Sequence, residues 1–287
     1  VYGKMCGSRV MLMRFWRPSD PYETICVVNC SLSERVVGIL KTRDAPAKAT
    51  EARSVVSKWR ANVIKSIGRC APPDRPARPN RPELMSPRFM PKRGRAQTEQ
   101  GRIALLHAVA HIELNAIDLA ADILVRFPDA AAPLTFYDDW LGVLDDEARH
   151  FLLVRERLSS LGIDYGDLPA HDGLWQSAQD TAHDLLARLA VVPLVLEARG
   201  LDVTPGMIES LRKSGDTESG AILELIYTEE IAHVAVGRKW FEFFCKEKPE
   251  QTWRALVAEN FRGKVKPPFN DKARAEAGFG SGYYKNI

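Results

Sequence analysis

Two segments of this 287-residue chain carry the pattern Glu-x-x-His inside an otherwise apolar helical sequence. VLDDEARHFLLV contains Glu147 and His150, and LIYTEEIAHV contains Glu230 and His233. Residues three apart on a helix lie about one turn apart on one face, so each pair can reach a common point. A lone carboxylate in an apolar core is costly, of order several kcal/mol even after relaxation. A cation bound between the helices would offset that cost, so the chain must fold to bring the two segments together.

A single core-facing glutamate precedes each pair at a nearly constant distance. Glu113 lies 34 residues before Glu147, and Glu197 lies 33 residues before Glu230. Each half therefore reads as a glutamate, an antiparallel return and Glu-x-x-His, which predicts a pseudo-twofold site between two helical hairpins. Two single glutamates with two Glu-x-x-His pairs form the donor set of di-iron carboxylate bundles. We predict that two metal ions bind to six side chains: Glu113, Glu147, His150, Glu197, Glu230 and His233.

The donor types also indicate the metal. Oxygen-rich sites with one imidazole per ion suit iron, with manganese as the second choice, better than zinc. The alternative is that these polar side chains pair with one another across the helices or lie on exposed faces. We interpret the neighbouring acids as solvated charges on exposed helix faces: Asp145, Asp146, Glu156, Glu224 and Glu229.

Four other residues lie close to the candidate ligands in the helical pattern. Tyr227 stands one turn before Glu230 and His183 lies about four turns before Glu197, so both are candidates for supporting the site from outside the ligand set. Packing is the simpler interpretation of Tyr227. His107 and His111 point away from the face of Glu113, and we interpret them as surface or hydrogen-bonded histidines.

The remaining pattern is helical, and no segment alternates with period two, so we predict an all-α fold. Long helices are expected over residues 98–126, 136–161, 175–199 and 216–246, with Thr135 as the cap of the second. Short helices are expected from Thr204, with Pro205 in its first turn, and over residues 249–261. The long connection 161–175 suits a crossover between the two hairpins.

Composition divides the chain into four parts. Residues 1–20 are a basic segment without an assignment, and residues 21–69 read as two helices, the first starting at a capping box and the second ending near residue 67. Residues 70–96 are rich in proline and arginine, which predicts an extended strap or linker. Residues 97–287 hold the metal-binding bundle and a C-terminal extension.

Charge is distributed unevenly along these parts. Residues 1–100 contain 20 Lys and Arg against 8 Asp and Glu, and residues 101–287 contain 20 against 29. The basic part either docks on the acidic remainder or binds RNA. No run of about 18 apolar residues is present, so we expect no membrane span. We expect a cytoplasmic protein, with organelle targeting by the basic N-terminus as the alternative.

Beyond these patterns, the sequence resembles the ferritin-like superfamily, and more closely its domain-of-unknown-function family 455. The resemblance covers about residues 79–279, and it is carried by the segments LLHAVAHIELNAIDLAAD, FYDDWLGVLDDEARHF, LGIDYGDLPAHDGLW, AHDLLARLAVVPLVLEARGLDVTPGMI, HVAVGRKWF and FRGKVKPPFN. It implies a ferritin-like four-helix core with a long crossover and the same six ligands. It does not supply a substrate.

These expectations favour an O₂-activating di-iron oxidoreductase, either a hydroxylase or an oxidase, of unidentified substrate. No flavin or nicotinamide motif is present, so the electrons come from a donor protein or from the substrate. Two alternatives stay open: a non-catalytic iron-binding protein, and an RNA- or protein-interaction module with a stabilising metal site.

Overall fold

The computed structural model of the chain describes residues 30–90 and 96–285. Within those ranges helices are the regular elements, and the one β pairing is an isolated parallel bridge between Leu84 and Ala170. The all-α prediction is confirmed. None of the described helices combines the length and hydropathy of a membrane span. The basic segment 1–20 lies outside the described residues.

Eleven α-helices occur in the described part of the chain, together with one 3₁₀ turn and one π-helical turn. In chain order they are α1 (Leu32–Lys41), α2 (Ala45–Arg60), the 3₁₀ turn (Pro87–Phe89), α3 (Glu99–Arg126), α4 (Leu134–Ser160), α5 (Gly173–Asp180), α6 (Leu185–Val191), the π turn (Val192–Glu197), α7 (Ala198–Lys213), α8 (Thr217–Cys245), α9 (Pro249–Asn260), α10 (Asp271–Glu276) and α11 (Ser281–Tyr284).

The long helices pack in a chain of neighbours. Helix α3 packs against α4, α4 against α8, and α8 against α7, while α1 covers α3 and α2 covers α4. Side-chain caps fix several starts: Thr98 accepts a hydrogen bond from Gly101 N at α3, and Asp216 accepts one from Ser219 N at α8. The predicted capping box of Ser31 and Glu34 is present at α1. These contacts place α4 between α3 and α8.

The prediction of one helix over residues 175–199 is wrong: the helix is interrupted, and it does not end at residue 199. A turn at residues 181–184 separates α5 from α6, and the π turn lies between α6 and α7. Gly200 does not end the helix, because it does not have the positive φ of a glycine that terminates a helix. Helix α7 therefore runs past Gly200 with Pro205 inside it, and Thr204 is not a cap.

Two other predicted boundaries are also wrong. Helix α2 ends at Arg60 rather than near residue 67, because Asn62 has a φ of 56° that a continuing helix cannot accommodate. Helix α4 begins one residue before Thr135, after Pro133, and has no side-chain cap.

The proline-rich strap, residues 70–90, lies on the helices as extended chain. Buried Lys48 of α2 donates to the carbonyl of Ala77 at 2.9 Å and to the Oδ1 atom of Asp118 at 2.5 Å. Arg78 of the strap lies 2.8 Å from the other oxygen of Asp118. The strap thus joins α2 to α3 through a buried carboxylate of α3.

Farther along, the strap pairs with the connection between α4 and α5. Ala170 N donates to Glu83 O at 2.9 Å, and Met85 N donates to Ala170 O at 2.8 Å. This pairing fixes the middle of the predicted crossover beside α3.

The π turn meets α8 at a position where only glycine fits. A Cβ atom added to Gly237 would lie 2.3 Å from Cβ and 2.6 Å from Cγ of Pro193. Pro193 lacks an N–H, so it cannot continue the regular helical hydrogen bonding of α6. Gly237 lies one turn after His233, and this close approach positions Glu197, the last residue of the turn, against the centre of α8.

Gly237→Ala is expected to lower the free energy of unfolding by about 1–3 kcal/mol, because the added methyl group overlaps a rigid proline ring. Gly142→Ala is the matched control: Gly142 lies inside α4, and a Cβ there has no atom within 4 Å. The control should be neutral or more stable by up to about 1 kcal/mol, from helix propensity alone. Urea unfolding measures both. Equal effects of the two substitutions would contradict the packing argument.

Candidate metal centre

The six predicted ligands lie on four separate elements. Glu113 is on α3, Glu147 and His150 are on α4, Glu197 ends the π turn, and Glu230 and His233 are on α8. Glu113, Glu147, His150 and His233 are almost fully buried. One donor atom from each of Glu113, Glu147, His150 and Glu230 lies within 4.8 Å of the others. A buried cluster of this composition can hold a metal ion.

Glu147 lies between the two histidines. The Nδ1 atom of His233 is 3.1 Å from Oε1 of Glu147, and the Nδ1 atom of His150 is 3.7 Å from its Oε2. On the outer sides, His150 Nδ1 is 3.3 Å from Glu113 Oε2 and His233 Nδ1 is 3.4 Å from Glu230 Oε1. The two imidazole rings have centroids 5.9 Å apart. Both Nδ1 atoms therefore face the carboxylates.

Glu197 is outside the group of four but faces the same carboxylates. It lines the cavity that Glu113, Glu147 and Glu230 also line. Burial raises the pKa of Glu197 well above its ordinary value, and the negative charges of Glu230 and Glu147 raise it further. Four of the predicted ligands thus lie in one group, His233 lies against Glu147 and Glu230, and Glu197 lines the same cavity.

The atoms that point inward have no hydrogen-bond partner. Among the described residues, the buried side-chain atoms without one include six from this cluster: Glu113 Oε2, both carboxylate oxygens of Glu147, Glu197 Oε2 and the Nδ1 atoms of His150 and His233. Buried polar groups are nearly always paired, so a concentration of unpaired ones calls for a ligand. The residues present fit a bound cation.

The outward nitrogens of both histidines, by contrast, are held by carboxylates from the opposite helix. His150 Nε2 on α4 lies 2.6 Å from Glu229 Oε2 on α8, and His233 Nε2 on α8 lies 3.4 Å from Asp146 Oδ2 on α4. A carboxylate only accepts hydrogen bonds, so Nε2 carries a proton in each ring, and Nδ1 faces the cluster. A carboxylate at the far nitrogen is the usual way that proteins orient a metal-binding histidine.

The interpretation of Asp146 and Glu229 as solvated charges is therefore wrong. Sequence reasoning missed them because each also lies beside the exposed face of its helix. A signal was present: an acid directly precedes the glutamate in both Glu-x-x-His segments. For the other three acids the interpretation fits the structure. Glu156 is exposed, while Asp145 and Glu224 pair with surface arginines.

Arg149 joins the two outer carboxylates. Its Nη2 atom donates to Asp146 Oδ1 at 2.9 Å and to Glu229 Oε2 at 2.6 Å. Burial would raise the pKa of Asp146, but hydrogen bonds from His233 and Arg149 outweigh it and hold the pKa at about 2. Asp146 therefore stays ionised at neutral pH and keeps the orientation of His233.

Within the cluster, the carboxyls divide into protonated and ionised groups when no cation is bound. Burial, with the charge of Glu147, raises the pKa of Glu113 to about 8 and raises that of Glu230 as well. Burial also acts to raise the pKa of Glu147, but the neighbouring imidazoles of His150 and His233 lower it below the ordinary value. Glu147 is thus the ionised centre of the cluster.

The two histidines are charged in the same state. Burial alone would lower the pKa of His150, yet the neighbouring carboxylates of Glu113 and Glu147 raise it to about 11. The pKa of His233 is likewise raised well above its ordinary value, against burial, by Glu230 and by Asp146. A cation that binds here must displace protons from both rings and from the carboxyls.

His107 and His111 are hydrogen-bonded histidines, as predicted, but they are buried rather than exposed. His107 Nε2 accepts from Gly166 N at 2.9 Å, and the two nitrogens of His111 bond to Tyr165 Oη at 2.8 Å and to the carbonyl of His171 at 3.0 Å. Burial lowers the pKa of both, that of His111 to about 4, so both rings are neutral. They fasten the crossover to α3.

Of the two supporting candidates, His183 does not lie beside the ligands as predicted. His183 is exposed in the turn between α5 and α6, since the helix assumed to carry it beside Glu197 is interrupted there. Tyr227 is on α8, and its hydroxyl accepts from Asn270 Nδ2 at 2.9 Å. That bond directs Tyr227 toward the C-terminal segment.

A cavity of about 510 Å³ extends from the cluster to the surface. Its inner end is lined by Glu113, Glu147, Glu197 and Glu230. Its walls are small and aliphatic side chains of α3, the crossover, the π turn, α7 and α8, and its outer part includes residues 261–269 after α9. A volume between ~300 and 1,000 Å³ is typical of small-molecule sites.

Comparison with known proteins places this arrangement in a family. The family model described as "Protein of unknown function (DUF455)" matches residues 41–285, which include all six candidate ligands and both outer carboxylates. The chain belongs to the DUF455 family. A Haemophilus influenzae protein described as uncharacterized is 42% identical over 209 residues, which cover 70% of this chain and 72% of the relative. No solved structure is a significant match.

Glu113→Gln is expected to change how the stability of this DUF455 protein depends on pH when a chelator keeps it metal-free. The raised pKa means that the native carboxyl holds a proton that the unfolded chain has lost above pH 4.5. Native stability therefore falls as pH rises from 4.5 to about 8, and Gln, which does not titrate, should remove part of that fall.

Urea unfolding of both proteins across that range measures the effect, with Glu156→Gln, an exposed site on α4, as the control. The control should keep the wild-type slope. A Glu113→Gln slope that also equals wild type would show that Glu113 does not carry the extra proton.

Proposed function

We propose that this DUF455 protein is a ferritin-like four-helix protein with a di-iron carboxylate site, and that it acts as an O₂-dependent oxidoreductase. One observation carries the proposal: the inward donor atoms of the cluster lack hydrogen-bond partners, whereas the outward nitrogens of both histidines are held by carboxylates. Purely structural polar clusters satisfy their inward atoms as well.

The ligands would be the six predicted side chains. Glu113 and Glu197 come singly from two elements, and Glu147 with His150 and Glu230 with His233 come as pairs from α4 and α8. This is the distribution found in ferritin-like di-iron and di-manganese proteins. Carboxylate oxygen with one imidazole per ion favours iron, and manganese second.

Residues around the ligands hold the two histidines in the orientation that metal binding requires. Asp146 and Glu229 hold the histidine rings so that Nδ1 faces inward, and Arg149 holds both carboxylates. Ferrous iron bound here would supply electrons for the reduction of O₂. The cavity walls are mostly apolar, and an open path to the surface favours a reacting substrate over iron storage.

Metal analysis tests the site itself. Protein purified without chelator, and metal-free protein incubated anaerobically with Fe(II), should bind two iron ions per chain. Glu147→Ala and Glu230→Ala should lose most of this iron, because each removes a donor carboxylate from the centre of the cluster. Glu156→Ala, which removes an exposed acid of α4, should bind as much iron as wild type.

Glu229→Gln keeps the size of the side chain but removes the charge that orients His150. We expect iron affinity to fall by about 10–100-fold, as is usual for such outer partners. Wild-type protein that binds no iron, or variants that all bind alike, would refute the metal site.

Exposure to O₂ tests the oxidoreductase function separately. Wild-type protein loaded with Fe(II) should consume O₂ and lose Fe(II) faster than the same iron in buffer, and Glu147→Ala should not exceed the buffer rate. An oxygen electrode and a colorimetric Fe(II) assay follow the two reactants. Iron that binds but remains ferrous in air would leave a metal-binding protein without the oxidase function.

A further inference from the structure

The cavity is mostly apolar along its length, with the imidazoles of His107, His111 and His171 also in its lining, and it is charged at its two ends. Its inner end holds the four glutamates of the metal centre. Its walls include Ala108, Ile112, Leu119, Val195 and Ile226, which offer no hydrogen-bonding groups. A polar molecule such as a nucleobase would lose hydrogen bonds to water there with little replacement, because both ring nitrogens of His111 and Nε2 of His107 are already bonded to the crossover. The walls therefore favour a ligand with an apolar body.

The outer part of the cavity carries positive charge that no described residue neutralises. Arg274 and Asp202 both line it, but they pair with each other, with Nη2 2.7 Å from Oδ2. Lys264 and Lys266 also line it, are exposed, and form no ion pair with any described residue. Two cations thus stand at the exposed end of an apolar cavity.

The lysines lie on a segment that is fixed to the helices around the cavity. Arg199, two residues after Glu197, donates to the backbone carbonyls of Lys266 at 3.1 Å and Pro268 at 3.0 Å. Asn270 donates from its backbone to Asp202 Oδ1 at 2.9 Å and from its side chain to the carbonyl of Leu201 at 3.1 Å. The segment 261–270 is therefore a built wall of the cavity.

We propose that this cavity binds an organic anion with an elongated apolar body, whose carboxylate or phosphate is held by Lys264 and Lys266. The apolar body then extends along the walls, and its far end lies at the glutamate cluster. The inference rests on the proposed function only for a reaction of the ligand at that far end, beside the glutamate cluster. The binding itself requires no metal.

Binding of simple amphiphiles to the metal-free full chain tests the proposal. The probes are decanoate and decyl phosphate, with decanol as the neutral control of equal chain length, measured by isothermal titration calorimetry below micelle-forming concentrations. We expect the two anions to bind about tenfold more tightly than decanol, as two partly exposed ion pairs would give. Removal of metal prevents the probe carboxylate from binding to iron instead.

Two sets of variants then locate the ligand. Lys264→Ala with Lys266→Ala should remove the preference for the anions and leave decanol binding unchanged, while Lys272→Ala, an exposed lysine of α10 outside the cavity lining, should keep the preference. Ala108→Phe, which fills the cavity between its ends, should weaken all three probes about tenfold or more. Its thermal unfolding curve checks that it is folded.

The outcomes separate this inference from the proposed function. Anion binding that depends on the lysines, in a protein that takes up no iron, would support the ligand class and refute the di-iron site. Iron uptake with no preference for anions, or a preference that survives the double lysine substitution, would overturn the ligand class alone. Displacement of decanoate by a short RNA at physiological salt, with the RNA the tighter ligand, would also overturn it.

Discussion

The burial of four carboxylates around two imidazoles is the constraint on which the rest of the structure depends. Carboxylates so close together in an apolar interior repel one another unless protons or cations lie between them. The protein holds Glu147 between two histidines and leaves its oxygens without hydrogen bonds. Close packing of α8 against the π turn and side-chain caps on α3 and α8 serve to keep four separate elements in this position.

The electrostatic design has two layers with opposite roles. The inner layer has atoms without hydrogen-bond partners, and its groups Glu113 and His150 bind protons in the absence of a cation. In the outer layer, Arg149 pairs with both Asp146 and Glu229, and Asp146, which contacts His233, is ionised. Because each outer carboxylate comes from the helix opposite its histidine, α4 and α8 are bound to each other at the same level as the site. Orientation of the rings and cohesion of the two helices are therefore one set of contacts.

Much of the site could be predicted from the sequence because its ligands obey local rules. Helical spacing puts Glu and His of each pair on one face, and buried acids need partners, so the six ligands could be named from the pattern. The outer acids could not, because an acid on the polar side of a helix looks the same in the sequence whether water or a histidine donates a hydrogen bond to it. The π turn was not predicted, because Pro193 indicates that the regular helix is interrupted but not which kind of turn replaces it. The cavity depends on residues 261–270 returning to α7, a long-range contact that periodicity does not encode.

The strap described above has a consequence for how the molecule can be divided. Asp118 lies on α3 five residues after Glu113, and its two oxygens are neutralised by Lys48 and Arg78, both from before residue 97. Without those cations an ionised acid would remain in the interior beside the ligand helix, at a cost of about 3–5 kcal/mol. The change of composition near residue 96 is thus a difference in amino-acid usage, and it does not separate two units that could each stand alone.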